Sequence, residues 1–133
     1  MVRYIKVNSH SRTEMIDITS EVSELVEKSR VRDGVCHIFA LHTTAGITVN
    51  EGADPDVQHD VIDFLNKKVP VSYPFSHAEG NSDAHVKSTL VGVAETVIIE
   101  EGQLLLGTWQ AIYFCEFDGP RSGRKVAVQI IAG

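Results

Sequence analysis

The chain has 133 residues, 43% of them apolar and 23% charged, with 12 Lys and Arg against 18 Asp and Glu for a formal net charge of −6. That length predicts one domain spanning 1–133, because two would each fall near the lower limit for a self-sufficient core. The acidic balance argues against nonspecific binding to nucleic acid or anionic membranes, and no apolar run approaches the roughly 18 residues needed to cross a bilayer.

Val2 to Val7 and Glu14 to Ile18 read as short strands, the second with apolar and polar residues alternating. Thr19 and Ser20 can then cap a helix whose inward stripe is Val22, Leu25 and Val26 and whose pattern fades by Arg30. The run Val35 to His42 is apolar at nearly every position, which predicts a strand buried on both faces. Gly46 to Glu51 reads as the next strand. Asp54-Pro55 is a helix start, Asp as N-cap and Pro at the first helical position, with Val57, Val61, Phe64 and Leu65 on the apolar side.

Val69 to Asp83 reads as a long loop, and a short helix is expected from Asp83 to Leu90. Glu95 to Glu100 and Gln103 to Leu106 flank a hairpin turn at Glu101-Gly102. Trp109 to Phe117 and Val126 to Ile131 complete the strands, joined by the turn-rich Asp118 to Gly123. Sequential strands with few helices predict an α+β domain: a mostly antiparallel, β-sandwich-like fold with about three flanking helices. Cys36 and Cys115 are isolated in apolar runs, as expected of buried thiols in a reducing, cytoplasmic compartment; no secretory leader pattern opens the sequence.

Polar residues that end or interrupt apolar segments are the candidates for chemistry. His42 closes its strand where a core gives way to a cleft, with Thr43, Thr44, Asn50, Glu51 and Asp54 following. His77, Glu79, Asn81, Asp83 and His85 alternate with non-ligating residues, and imidazole plus carboxylate is donor chemistry for Zn²⁺ while carboxylates alone suit Mg²⁺. Fully extended, His77 to His85 would span roughly 26 Å, so only a curled loop brings both to one ion. His85 and Ser88 share a helix face. On the Trp109–Phe117 strand, alternation puts Gln110 and Glu116 on one face but roughly 20 Å apart, too far for one small ligand. Arg121 and Arg124 could clamp a phosphate, although a charged hairpin tip is the more ordinary reading. Trp109 is expected as a core or interface anchor, His37 as a hydrogen-bonded core histidine, and His10 and His59 as ordinary surface groups. No GxGxxG, GxxxxGK[ST], GxSxG or HExxH pattern is present.

The segments LHTTAGITVNEGADPDVQHD, NSDAHVKSTLVG and EGQLLLGTWQAIYFCEFDGPR, in that order, resemble the YjbQ-like proteins, also called the secondary thiamine-phosphate synthase family. The resemblance implies a compact β-rich homotrimer with polar clefts near the subunit contacts. It also implies a weak activity that joins a pyrimidine diphosphate to a thiazole phosphate with release of pyrophosphate. Carried over by motif, His42, Asn50, Glu51, Asp54, His85, Ser88, Gln110 and Glu116 occupy the family's characteristic polar positions. His42, His85, Glu51 and Asn50 are the catalytic candidates, and Thr43, Asp54, Ser88, Lys87, Gln110, Arg121 and Arg124 the substrate-binding ones. A divalent metal, Zn or Mg, is implied on His42, His85 and His77. Because the chain lacks a nucleophile motif and a phosphate loop, the alternative is a non-catalytic homotrimer that binds a metal or a small ligand.

Overall fold

In the computed structural model, which describes residues 1–133, eleven elements follow one another. They are β1 (Arg3–Val7), β2 (Glu14–Asp17), α1 (Thr19–Ser29), β3 (Gly34–Ala40), β4 (Ala45–Glu51), α2 (Pro55–Lys68), α3 (Ser82–Val91), β5 (Ala94–Glu100), β6 (Gln103–Leu104), β7 (Gln110–Glu116) and β8 (Arg124–Ala132). The strands form two antiparallel sheets, one of five strands in the order β1-β8-β3-β5-β6 and one of three in the order β2-β7-β4. The α+β, sandwich-like expectation holds.

The core between the sheets is dictated by alternation. Cys36, Ile38 and Ala40 of β3, Val97 and Ile99 of β5 and Val126 and Val128 of β8 face Ile47 of β4 and Ile112 and Phe114 of β7. Helix α1 closes one end with Val22 and Val26. Neither Thr19 nor Ser20 caps it as expected; its first amide is bound from two residues before Thr19, where Asp17 Oδ1 accepts from Thr19 N–H at 2.9 Å and from Thr19 Oγ1 at 2.6 Å. Thr19 Oγ1 in turn accepts from the Ile112 amide at 2.8 Å, tying α1 to β7.

The strand buried on both faces is β7, not β3. Ile112 and Phe114 lie in the core between the sheets, while Ala111, Tyr113, Cys115 and Phe117 pack against Ala84 of α3 and Leu65 of α2. The three-stranded sheet therefore has a layer on each side. The five-stranded sheet has a layer on one side only, so the other face of β3 is open, with Phe39 44% and Leu41 45% exposed. His37 is on this open face as well; it is hydrogen-bonded, to Thr96 Oγ1 at 2.8 Å, but not in the core.

Other boundaries differ by a residue or two. The hairpin partner of β5 shrinks to Gln103–Leu104, and Trp109 stands in the preceding turn, 65% exposed, rather than anchoring a core. Strand β8 begins at Arg124, so Arg124 belongs to the sheet and not to the hairpin tip. Burial pushes the Cys36 thiol up to about 11 and Cys115 up to about 12, so neither is a nucleophile near neutral pH.

Candidate active-site cleft

Where β3 ends at Ala40, the chain turns toward the second sheet, and one more rung of the β3–β8 ladder forms. Leu41 N–H donates to the Lys125 carbonyl at 3.1 Å. The Lys125 amide faces the same way and finds an imidazole instead of a carbonyl, donating to His42 Nε2 at 2.8 Å. A side chain has replaced the strand it follows. Burial lowers the basicity of His42, the Arg124 and Arg121 charges lower it further and Glu116 opposes them, so the ring titrates below its ordinary 6.5.

Helix α3 brings the second histidine. It rests on β4 through Ser88, whose hydroxyl donates to the Ala45 carbonyl at 2.6 Å, and through the Gly92 carbonyl, which accepts from Ile47 N–H at 3.0 Å. The approach requires glycine at position 46, because a Cβ there would stand 2.7 Å from the Gly92 oxygen. His85, one turn before Ser88, then reaches the same cleft as His42. The loop ahead of α3 does curl: the His77 and His85 rings meet edge to face with centroids 5.4 Å apart. The resulting cleft is about 480 Å³ and carries Leu41, His42, Thr43, Thr44, His77, Glu79, Asn81, His85, Asp118, Arg121 and Arg124 on its walls. Beyond His42 it opens into a more apolar recess lined by Phe39, Leu41, Ser88 and Val93.

Beneath the cleft is a buried ion pair. Arg124 Nε donates to Glu116 Oε1 at 2.9 Å and its Nη2 to Glu116 Oε2 and, at 2.9 Å, to Thr44 Oγ1. Ser9 Oγ donates to Glu116 Oε1 at 2.7 Å and the Asp118 amide to Oε2 at 3.1 Å. Burial alone would raise Glu116, but the hydrogen bonds from Arg124, Ser9 and the Asp118 amide outweigh it and hold the carboxyl below its ordinary 4.5. Asp118 follows the same pattern: burial raises it, and Asn81 and Arg121 pull it below 3.8. Asp118 Oδ2 takes Asn81 Nδ2 at 2.9 Å and Arg121 Nη2 at 3.0 Å. It therefore joins the loop carrying His77 to the β7–β8 turn.

The other candidates divide. Asn50, Glu51, Asp54 and Gln110 lie at the opposite end of the three-stranded sheet, because Glu51 pairs with Gln110 and Ala45 with Glu116, six residues or roughly 20 Å away. Their polar atoms serve the local chain. Asp54 Oδ1 accepts from the Asp56 amide at 2.9 Å as an N-cap, Glu51 Oε2 accepts from Ala53 N–H at 2.8 Å, Asn50 Oδ1 accepts from the Glu51 amide at 2.7 Å and Gln110 Oε1 from Gly107 N–H at 2.7 Å. Lys87, 1% exposed, points inward and donates to Asp83 at 3.0 Å and Asn66 at 2.9 Å. It faces no ligand. Thr44 entered the sequence reading only as a neighbour of His42, and Asp118 only as the start of a turn; an Asp-Gly pair directly after an apolar strand was the available signal for Asp118.

Glu79 Oε2 lies 3.8 Å from His77 Nε2. No three His, Cys, Asp or Glu side chains converge into a coordination set, and His42 Nε2 is already committed to Lys125 N–H. The arrangement therefore does not assemble the His42–His77–His85 metal site that the resemblance implies. Its own chemistry is that of imidazoles and one accessible guanidinium, Arg121, around a polar floor.

A two-sheet α+β protein with an imidazole-lined cleft at one end of the sandwich is the class so defined. The chain belongs to the UPF0047 YjbQ-like family, whose model matches residues 3–133. It is 52% identical to a UPF0047 protein of Methanocaldococcus jannaschii over 95% of this chain and 91% of that one. It is 47% identical to the UPF0047 protein YugU of Bacillus subtilis over 92% and 93%. A crystal structure of a family member from Clostridium acetobutylicum superposes with a TM-score of 0.95 at 50% identity, covering 97% and 99% of the two chains. A YbjQ-like protein of unknown function from Sulfolobus solfataricus gives 0.96 at 34%, covering 100% and 97%.

Proposed function

We propose that the cleft binds a small phosphorylated substrate and promotes displacement of its diphosphate, the chemistry of a thiamine-phosphate synthase. The observation that carries this reading is the meeting of His42, His77, His85 and Arg121 on one cleft of about 480 Å³. In such a reaction the ring nitrogen of a thiazole phosphate forms a C–N bond to the pyrimidine methylene carbon. The C–O bond to diphosphate breaks, and the diphosphate leaves with the electron pair. The charge that develops on the leaving group calls for hydrogen-bond donors already in place. Arg121 supplies a cation and the histidines supply N–H donors. A modest donor set and the absence of a glycine-rich phosphate cradle agree with a weak activity. A divalent ion accompanying a diphosphate would enter with the substrate.

The test is thiamine-phosphate formation by the intact protein and by His85→Ala, each after chelator treatment and after adding back Mg²⁺ or Zn²⁺. Turnover is expected to fall at least about 100-fold in the variant, with the melting temperature nearly unchanged. Retained turnover would remove His85, and with it this cleft, from the reaction.

The second reading is a ligand-binding homotrimer. It is favoured by the open face of the five-stranded sheet, where Tyr4, Phe39, Ile98 and Ile131 are 44–58% exposed. The chain exposes 7748 Å², roughly 800 Å² more than a monomer of this mass is expected to show. That excess is about one partner's share of a standard interface. Phe39 and Leu41 belong both to this face and to the recess beside His42, so a neighbouring copy seated there would form a wall of the cleft.

A further inference from the structure

We propose that His42 works as a fixed neutral hydrogen-bond donor, through Nδ1–H, to an anionic oxygen of the ligand, and that it does not join His77 and His85 in holding a metal. The inference rests on the phosphorylated-substrate reading for the identity of the ligand, but its core is geometric. A neutral imidazole carries one proton. Where one ring nitrogen accepts a hydrogen bond, that proton resides on the other. His42 Nε2 accepts, at 2.8 Å, from the Lys125 amide, a group that can only donate. The alternative tautomer would set two N–H groups against each other, in a seam where Leu41 N–H and the Lys125 carbonyl, 3.1 Å apart, fix the backbone.

The free nitrogen is therefore a donor. Nδ1 makes no bond within the protein, and the ring lies on the walls of both the polar cleft and its apolar recess. A metal ion needs a lone pair, and the one lone pair of this ring is spent on the backbone. An oxygen of a phosphate needs a proton donor, which is what the ring presents. The same backbone contact excludes the imidazolium form, which would set an Nε2–H against the Lys125 N–H. Donation without net charge also separates His42 from Arg121, which can attract a diphosphate from a distance while His42 acts only in contact.

The experiment reads the ring directly. Long-range ¹⁵N–¹H correlation spectra of the intact ¹⁵N-histidine-labelled protein at pH 7 report the tautomer of each imidazole, with the His42 signals identified by their loss in His42→Ala. The expected pattern for His42 is a protonated Nδ1 and an unprotonated Nε2. Added Zn²⁺ should leave it in place whatever happens to His77 and His85, and inorganic pyrophosphate should move the Nδ1 resonance. An Nε2–H tautomer, an imidazolium pattern, or a His42 nitrogen shifted by Zn²⁺ as a ligand would overturn the proposal. Should the tautomer be as expected while saturating pyrophosphate moves no histidine, the anion role is overturned together with the phosphorylated-substrate reading, and the tautomer stands. Pyrophosphate that moves His77 and His85 alone overturns only the role assigned to His42.

Discussion

Glu116 shows how much one side chain can be asked to do. It receives Arg124, Ser9 and the Asp118 amide at once, so every oxygen lone pair facing the interior has a donor. Replacing one member of a buried pair strands the other, which costs about 3–5 kcal/mol. Glu116→Gln is expected to lower the urea-unfolding free energy at pH 7 by an amount in that range. The pH dependence follows in sign. The carboxyl is held below 4.5 in the folded protein, so its contribution is fully present above the unfolded value and disappears as pH falls through the folded one. Stability should fall on acidification below about 4.5, and the variant should lack this group's share of the decline. Equal unfolding midpoints for the two proteins at pH 7 would contradict the assignment. Arg124 was legible as a cation near a turn but not as a partner of Glu116. The sequence places them eight residues apart across a bend, and only the packing of the two sheets, β7 in one and β8 in the other, sets them side by side.

The element that positions the chemistry is α3, and beside Ala84 and Ser88 its anchors include a buried network of charges. Asp83 is fully buried and bound by Lys87 at 3.0 Å and by Arg12 at 2.8 Å. Lys87 continues to Asn66 of α2 at 2.9 Å, so one network joins α2, α3 and the β1–β2 loop. In the sequence Lys87 reads as a substrate contact. A sequence pattern reports polarity, and a satisfied buried pair has the same polarity as a wet one. Lys87→Met, which keeps the stem and removes the charge, is expected to destabilise the fold by about 3 kcal/mol while changing pyrophosphate affinity of the folded protein less than about twofold. A large loss of affinity with unchanged stability would return Lys87 to the cleft. The meeting of His85 with His42 was not written in their spacing; it arises because α3 meets β4 where β3 has just delivered His42.

At the scale of the whole molecule, the open apolar face is the proposed contact between copies. Registered across β1, β8 and β3, Tyr4, Ala127 and Phe39 form one row, Ile131, Val35 and Ile98 another across β8, β3 and β5, with Gln129, His37 and Thr96 between them. The sequence predicted that β3 would be buried on both faces; within one chain only one of those faces is covered. Light scattering of the native protein is expected to give three times the chain mass. Phe39→Asp with Ile98→Lys is expected to give a folded monomer with unchanged far-ultraviolet circular dichroism. A monomeric native protein, or a trimer that survives both charges, would refute this face as the contact.

Strand β8 lies between β1 and β3 in the sheet, although it is the last of the three to be made. Arg3 waits for Val128 and Glu14 for Glu116, roughly a hundred residues or more along the chain. Little of the sheet can be assembled from neighbours in sequence, so loop-closure entropy is met before the contacts that reward it, and folding belongs in the slow, non-local regime. On the ribosome the consequence is sharper. Until β8 emerges, β1 has no partner and β3 lacks its β8 neighbour, leaving the hydrogen-bonding edges of both free to find the wrong strand. The imidazole that replaces the next carbonyl beside Lys125 is then set in place only when this last strand slides home. In this protein the completion of the sheet and the completion of the cleft are the same event.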